Sequence, residues 1–203
     1  MGRGRGTRRA AHGAVRADAR RDAASAPQPP GGVVVTAERT RERTPLEQRL
    51  WELAGAVPDP ELPMVTLGDL GILRDLRMFG PGEVRVEITP TYTGCPAVEA
   101  MSCDIEDVLH AEGVPEVTVR TVLAPAWTTD DITAEGRRKL AASGIAPPRP
   151  QPADGPIPLT LAVRCPHCGS IDTELLSRFS STACKALRRC VSCREPFDHF
   201  KEL

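Results

Sequence analysis

EVRVEITPTYTGCPAVEAMSCDIEDVLHAEGVPEVTVRTVL, residues 83–123, passes from one periodicity to another and back. Glu83–Thr89 alternates Val84, Val86 and Ile88 with charged residues, the period-2 pattern of a half-buried strand. From Pro96 to Glu112 the period lengthens. Val98, Met101, Ile105, Val108 and Leu109 fall on one helical face, and Gly113 ends the helix. Glu116–Leu123 alternates again as a further strand. Upstream, Leu70–Phe79 reads as a strand that Gly80-Pro81-Gly82 turns into a hairpin with Glu83–Thr89. Thr44-Pro45-Leu46-Glu47 is a capping box with proline at N1. The helix behind it places Leu46, Leu50, Leu53, Ala54 and Val57 together, and Pro58-Asp59-Pro60 stops it. A last helix spans Thr133–Ser143, with Gly144 as its stop. The order αββαβα predicts an α+β domain over residues 44–145, a small mixed sheet with helices on one face.

The flanks differ in composition. Residues 1–43 are rich in Arg, Ala, Gly and Pro, with almost no large apolar residues, and read as a disordered basic tail. Ala146–Pro158 holds six prolines in 13 residues and reads as a semi-rigid spacer. Residues 159–203 form a small module that needs a metal to be stable. Residues 1–44 hold ten arginines against four acids, so the rest of this chain of net charge −1 is acidic. That balance argues against a nucleic-acid partner. No run approaches the length of a membrane span, and the N-terminus lacks the apolar stretch of a secretory signal. A cytoplasmic protein is expected, in which the seven cysteines serve thiolate chemistry rather than disulfides.

Cys165-Pro166-His167-Cys168 and Cys190-Val191-Ser192-Cys193 are two C-x2-C pairs separated by 21 residues. Four thiolates close a tetrahedral shell, which predicts a structural zinc ribbon; an iron site or a labile iron–sulfur cluster shares the same donor set. Gly169 suits the tight turn after the first pair. His167 and His199 are alternative ligands by residue type, with a surface position expected for both. Cys184 is left over: a small buried hydrophobe, an extra ligand, or a reactive thiol that the adjacent Lys185 would favour as thiolate. In Thr91-Tyr92-Thr93-Gly94-Cys95-Pro96, Cys95 ends a loop and Pro96 is expected at the first helical position. Free N–H groups and the helix dipole would then favour the thiolate, against an inert capping cysteine. Cys103, eight residues on, is expected in the core. Asp59-Pro60-Glu61 is either a solvated turn or a pair of carboxylates that binds a cation or meets the Cys95 loop. No Ser-His-Asp set, phosphate loop or His/carboxylate iron site is present, so nothing supports an independent enzyme.

Asp59-Pro60-Glu61-Leu62-Pro63, Leu70-Gly71-Ile72 and Thr93-Gly94-Cys95-Pro96 resemble the SufT-type domain of iron–sulfur assembly factors, over about residues 45–124. Pro125-Ala126-Trp127-Thr128-Thr129-Asp130, Gly144–Pro148, Ser181–Leu187 and Arg194–Lys201 are similar to one branch of that family, the D subunits of the phenylacetyl-CoA epoxidase, a multicomponent ring-epoxidising monooxygenase. The resemblance implies an accessory subunit that helps mature an iron or iron–sulfur centre. Its implied partners are the di-iron oxygenase subunits or their reductase. It implies Cys95 as the reactive or metal-transfer thiol, with Thr93 in its motif, and Asp59 and Glu61 as shapers of its site. Cys165, Cys168, Cys190 and Cys193 would hold the ribbon metal. The alternative is a stable structural or electron-transfer subunit of the oxygenase.

Overall fold

The computed structural model describes residues 42–149 and 162–202. Nearly all of the basic tail and most of the proline-rich spacer lie outside the described residues.

The first helix, α1 (Pro45–Ala56), starts where its capping box places it. The Thr44 hydroxyl accepts the Glu47 N–H at 3.2 Å, and the Glu47 carboxylate accepts the Thr44 N–H at 2.9 Å. Glu47 goes further than a cap. It is 2 % exposed, and its Oε1 also accepts the Met78 N–H at 3.1 Å, which pins the helix start to strand β1 (Leu73–Gly80). Leu50 and Ala54 are buried; Leu46, expected on the same face, is largely exposed.

Strand β1 pairs antiparallel with β2 (Glu83–Ile88), and β3 (Glu116–Thr121) lies parallel to β2, in the order β1-β2-β3. The parallel pair requires a crossover, which α2 (Val98–Ala111) provides. Met101, Ile105 and Leu109 are spaced four apart and are buried. Cys103 falls between them, on the opposite face, and is exposed rather than in the core. Helix α3 (Ala134–Ala142) is capped by Thr133, whose hydroxyl accepts the Gly136 N–H at 2.9 Å.

A second sheet of order β4-β7-β6-β5 contains β4 (Ile145–Ala146), β5 (Thr173–Ser177), β6 (Lys185–Cys190) and β7 (Pro196–Phe200). Its short strand β4 comes directly after α3 and pairs parallel with β7. A boundary at residue 145 therefore cuts through a strand. Ala146, read from sequence as the start of the spacer, is a buried sheet residue, and the ladder stops where Pro147 removes the next N–H donor.

One apolar core spans both sheets. It includes Leu50, Ile88 and Leu109 from the first unit together with Cys184 and Phe200 from the ribbon. Phe200 is fully buried with its ring 6.0 Å from that of Trp127, whose indole N–H donates to the Leu70 carbonyl at 2.8 Å. A second, smaller cluster of Ala146, Cys165, Cys190 and Phe197 lies at the cysteine end of the ribbon.

Candidate functional site

The Asp59–Glu61 turn is built by hydrogen bonds that fix the Asp59 carboxylate. Pro58 bridges to Thr66, and the Asp59 N–H donates to the Val65 carbonyl at 3.0 Å. Asp59 Oδ1 accepts the N–H groups of Glu61 and Leu62 at 2.9 and 2.8 Å. Leu62, 2 % exposed, anchors the turn in the core. Burial raises the Asp59 carboxyl against the pull of those two N–H donors. Burial and then the neighbouring Asp59 charge raise Glu61, while Lys185 draws it down.

Cys95 lies within electrostatic reach of this turn's two carboxylates. It is half-buried in a turn whose N–H donates to the Tyr92 carbonyl at 3.3 Å, and Gly94 before it takes φ +83°. The helix does not begin at Pro96, as expected; α2 starts at Val98, with Ala97 as the cap residue. The Ala97 N–H still reaches the Cys95 sulfur and, with the Tyr92 hydroxyl, favours the thiolate. Burial outweighs them, and the Glu61 and Asp59 charges add to it, so the thiol is raised instead of lowered. The expectation of a dipole-activated thiolate is thus corrected: burial, with the charges of Glu61 and Asp59, outweighs the N–H and hydroxyl donors. Thr93 is exposed at the loop tip and is not drawn into this group.

Cys184 joins the same neighbourhood. It is 4 % exposed and belongs to the core that contains Leu62, with Tyr92 and Cys95 packed against that core. Its sulfur lies 3.1 Å from the Thr182 hydroxyl, and its thiol is raised by burial first and then by Glu61 and Asp59. Lys185 pulls the other way without prevailing; its buried ammonium pairs with Asp198 at 3.0 Å. Tyr92, the chain's single tyrosine, sits among these groups and is pushed up to about 12 by burial, then by Cys95 and Glu61. Sequence reasoning did not single out Tyr92, although it lies three residues before Cys95; no local signal brings Cys184 to Cys95.

The ribbon cysteines form a separate group. Cys165, Cys168, Cys190 and Cys193 place their sulfurs within 4.8 Å of one another, and among the described residues they are the metal-ligand group of that kind. Cys165 and Cys193 sulfurs are 3.8 Å apart, and those of Cys168 and Cys190 are 3.5 Å apart. A tetrahedral ion with bonds of about 2.3 Å needs sulfurs about 3.8 Å apart, so the cage fits a closed four-thiolate metal site. Each C-x2-C turn is closed by one residue in the left-handed region, Gly169 at φ +75° and Arg194 at φ +67°. Their N–H groups return to the Cys165 and Cys190 carbonyls, each at 2.9 Å. Cys184 is not in this group. His167 is exposed and His199 is not; burial and then Arg188 and Arg149 hold His199 down at about 4. Two of the module's cations are spent on internal pairs, Lys185 with Asp198 and Arg189 with Glu174. Among the described residues no helix is long and apolar enough to cross a membrane.

Residues 47–124 match the family model described as an iron–sulfur cluster assembly protein, and residues 150–201 match the PaaD zinc beta ribbon domain. The chain is 46 % identical over 157 residues to the putative D subunit of the 1,2-phenylacetyl-CoA epoxidase of Escherichia coli K12, covering 77 % of this chain and 93 % of that protein. It is 30 % identical over 95 residues to an Fe-S protein maturation auxiliary factor of Porphyromonas gingivalis W83, covering 46 % of this chain and 90 % of the relative. A solved DUF59 domain from Bacillus anthracis is 28 % identical, covers 46 % of this chain and 90 % of its own, and superposes with a TM-score of 0.43. With an iron–sulfur assembly unit joined to a PaaD-type zinc ribbon, and with that extent of identity along its length, the chain belongs to the family of phenylacetyl-CoA epoxidase D subunits.

Proposed function

We propose that this protein is an accessory maturation factor of a phenylacetyl-CoA epoxidase, acting in phenylacetate breakdown, that assists assembly of an iron or iron–sulfur centre in a partner subunit. The observation that carries this reading is a shielded Cys95 thiol within electrostatic reach of Asp59 and Glu61, in a unit that matches iron–sulfur cluster assembly proteins. Soft sulfur beside hard carboxylate oxygen is a donor set for a ferrous ion or a cluster iron in transit. In the ribbon, zinc is the ion that four thiolates at these separations fit, and with no coordination position left it serves structure. The clients are the di-iron oxygenase subunits or their reductase.

The test is reconstitution of the epoxidase from its other subunits, made without this protein, then supplied with wild type or Cys95→Ser. Loss of epoxidase activity and of client iron with the variant is expected. Unchanged activity and iron content would remove metal transfer from the reading. A second reading, a stable structural or electron-transfer component of the oxygenase, is favoured by the Escherichia coli relative's being named as a subunit. Stoichiometric co-purification with the oxygenase and a redox-active ribbon metal would select it; a colourless protein with one zinc excludes electron transfer at the ribbon.

A further inference from the structure

A cavity of about 1010 Å³ opens between the α3–β4 stretch and the ribbon, and the charge on its wall is lopsided. Arg137 comes from α3, Arg149 from just after β4, Arg164 from the approach to the first C-x2-C pair, Arg188 from β6 and Lys201 from just after β7. Among the described residues Glu202 is the one carboxylate on the wall. The strand register explains the gathering. Ala186 pairs with His199 and Arg188 with Phe197, so alternation puts Arg188, His199 and Lys201 on one face of the ribbon sheet. Lys185 and Asp198 fall on the other face, where they form their ion pair. Ala146 of β4 lies opposite His199, which brings Pro147, Pro148 and Arg149 to the same rim. Arg137 is matched by Asp130 at 3.8 Å, whereas Arg149, Arg164 and Arg188 have no ion-pair partner among the described residues. These three are held by carbonyls instead: Arg149 donates to Ala162, Arg164 to Gly169 at 2.6 Å and Arg188 to Thr173 at 3.4 Å. Each guanidinium keeps further N–H donors. The Arg188 Nε is buried with no hydrogen-bond partner, a donor that an anion's oxygen would satisfy.

We propose that this cavity binds a phosphorylated small molecule, its phosphate held by the Arg149, Arg164 and Arg188 guanidiniums and the rest of it lying against the apolar wall of Ala141, Pro147, Pro148 and Val163. Charge sets the class. With Lys201 offset by Glu202, the three arginines carry about +3. A zinc-loaded cage, four thiolates around one divalent ion, carries about −2, and of its sulfurs only that of Cys165 belongs to a residue of the wall. The excess is therefore about +1 to +3, which one phosphate group of about −1.5 to −2 matches. Guanidinium forks bind phosphate through paired N–H donors, which suits arginine here better than lysine. Size agrees, since small-molecule sites run to about 1,000 Å³. The wall reaches in to Cys165, 1 % exposed, a depth that suits a small molecule better than the surface of a folded partner. Burial and then Arg188 and Arg149 keep His199 uncharged, so its imidazole adds an N–H without adding charge. The cavity is a different place from the Cys95 group and does not rest on the maturation reading. Part of its wall, residues 137–149, falls between the two family matches, which cover 47–124 and 150–201.

The test is calorimetric titration of the full-length, zinc-loaded chain with phenyl phosphate in phosphate-free buffer. One equivalent should bind. Arg188→Gln and Arg149→Gln should each weaken binding by more than about tenfold, the loss expected for one charge-assisted contact. Arg189→Gln should bind like wild type, because Arg189 is off the wall and pairs with Glu174. Zinc content and unfolding followed by Trp127 fluorescence tell a lost site from a lost fold. Arg149 lies outside every helix and strand, so Arg149→Gln decides the matter if Arg188→Gln does not fold. Phenyl phosphate that fails to bind wild type, or that binds Arg188→Gln and Arg149→Gln as tightly as wild type, overturns the proposal. Phenol should not bind; phenol binding as tightly as phenyl phosphate overturns the anion class. Hexaglutamate that binds more tightly than phenyl phosphate, and weakens in the same two variants, overturns the small-molecule class and assigns the cavity to an acidic segment of a partner.

Discussion

Two groups of cysteines lie in one core-sharing structure and meet opposite surroundings. The ribbon sulfurs stand within 4.8 Å of one another in turns closed by Gly169 and Arg194. Cys95 and Cys184 lie within electrostatic reach of Asp59 and Glu61, and burial holds both thiols up. The first arrangement closes around an ion and leaves it no vacant position. In the second, burial and the two acidic charges favour the protonated thiols. The same side chain thus belongs to a four-sulfur cage in one place and is a shielded thiol near acidic charges in the other, and the deciding variable is the sulfur's surroundings, not the sulfur.

The comparison breaks most visibly at the cage. Cys190→Ser should remove the ribbon metal and cost more than about 4 kcal/mol, read by metal analysis and denaturant unfolding. A lost metal with unchanged stability would mean that the cage does not hold the ribbon together. Phe200→Ala should cost about 3–5 kcal/mol, because it empties a fully buried site in the core shared by both sheets. Its unfolding, followed by Trp127 fluorescence, tests whether ribbon and assembly unit form one cooperative structure.

Asp69 offers a carboxylate whose environment is the reverse of that of Asp59. Its Oδ2 accepts the Lys139 ammonium at 2.6 Å and the Thr66 N–H at 2.9 Å, and these donors hold the carboxyl below its usual range despite burial. A lowered folded value gives stability that is present above the unfolded carboxylate range and lost as pH falls through the folded one. Asp69→Asn should therefore cost about 1–2 kcal/mol at pH 7, and the gap to wild type should close below about pH 4. The raised Asp59 has the opposite sign: its contribution is present in acid and lost as pH rises through its folded value. The smallest effect is kinetic. Glu61→Gln removes one charge that raises Cys95, and alkylation of Cys95 at pH 8 should speed up by about threefold, with little change in stability.

Local chemistry was legible and meetings at a distance were not. The Thr44 capping box, the hairpin around Gly82, the helix over the 101–109 stripe and the two C-x2-C turns are written in neighbouring residues, and each forms as the pattern predicts. The Asp59–Glu61 turn was readable as one candidate neighbour of the Cys95 loop, and its charges reach the Cys95 thiol. The sign of the Cys95 shift was hidden, because helix-end N–H groups are a local matter whereas carboxylate proximity and burial are set by the fold. Cys103 misled because its helical face, not its residue type, decides its exposure. Cys184 was readable as a small buried hydrophobe, and it is buried, but a ribbon motif could not show that the core it enters is shared with the assembly unit.

Strand β4 has a consequence for how the chain could be divided. Its two residues enter the ribbon sheet from the α3 side, and Phe200 enters the other unit's core from the ribbon side. The two pieces clasp each other. A backbone cut anywhere between Arg149 and Ala162 would sever the covalent link without undoing the clasp, so the halves should co-elute from a sizing column. The protein would then work as a pair of complementing fragments, with the C-terminal piece behaving as a small partner of the N-terminal one.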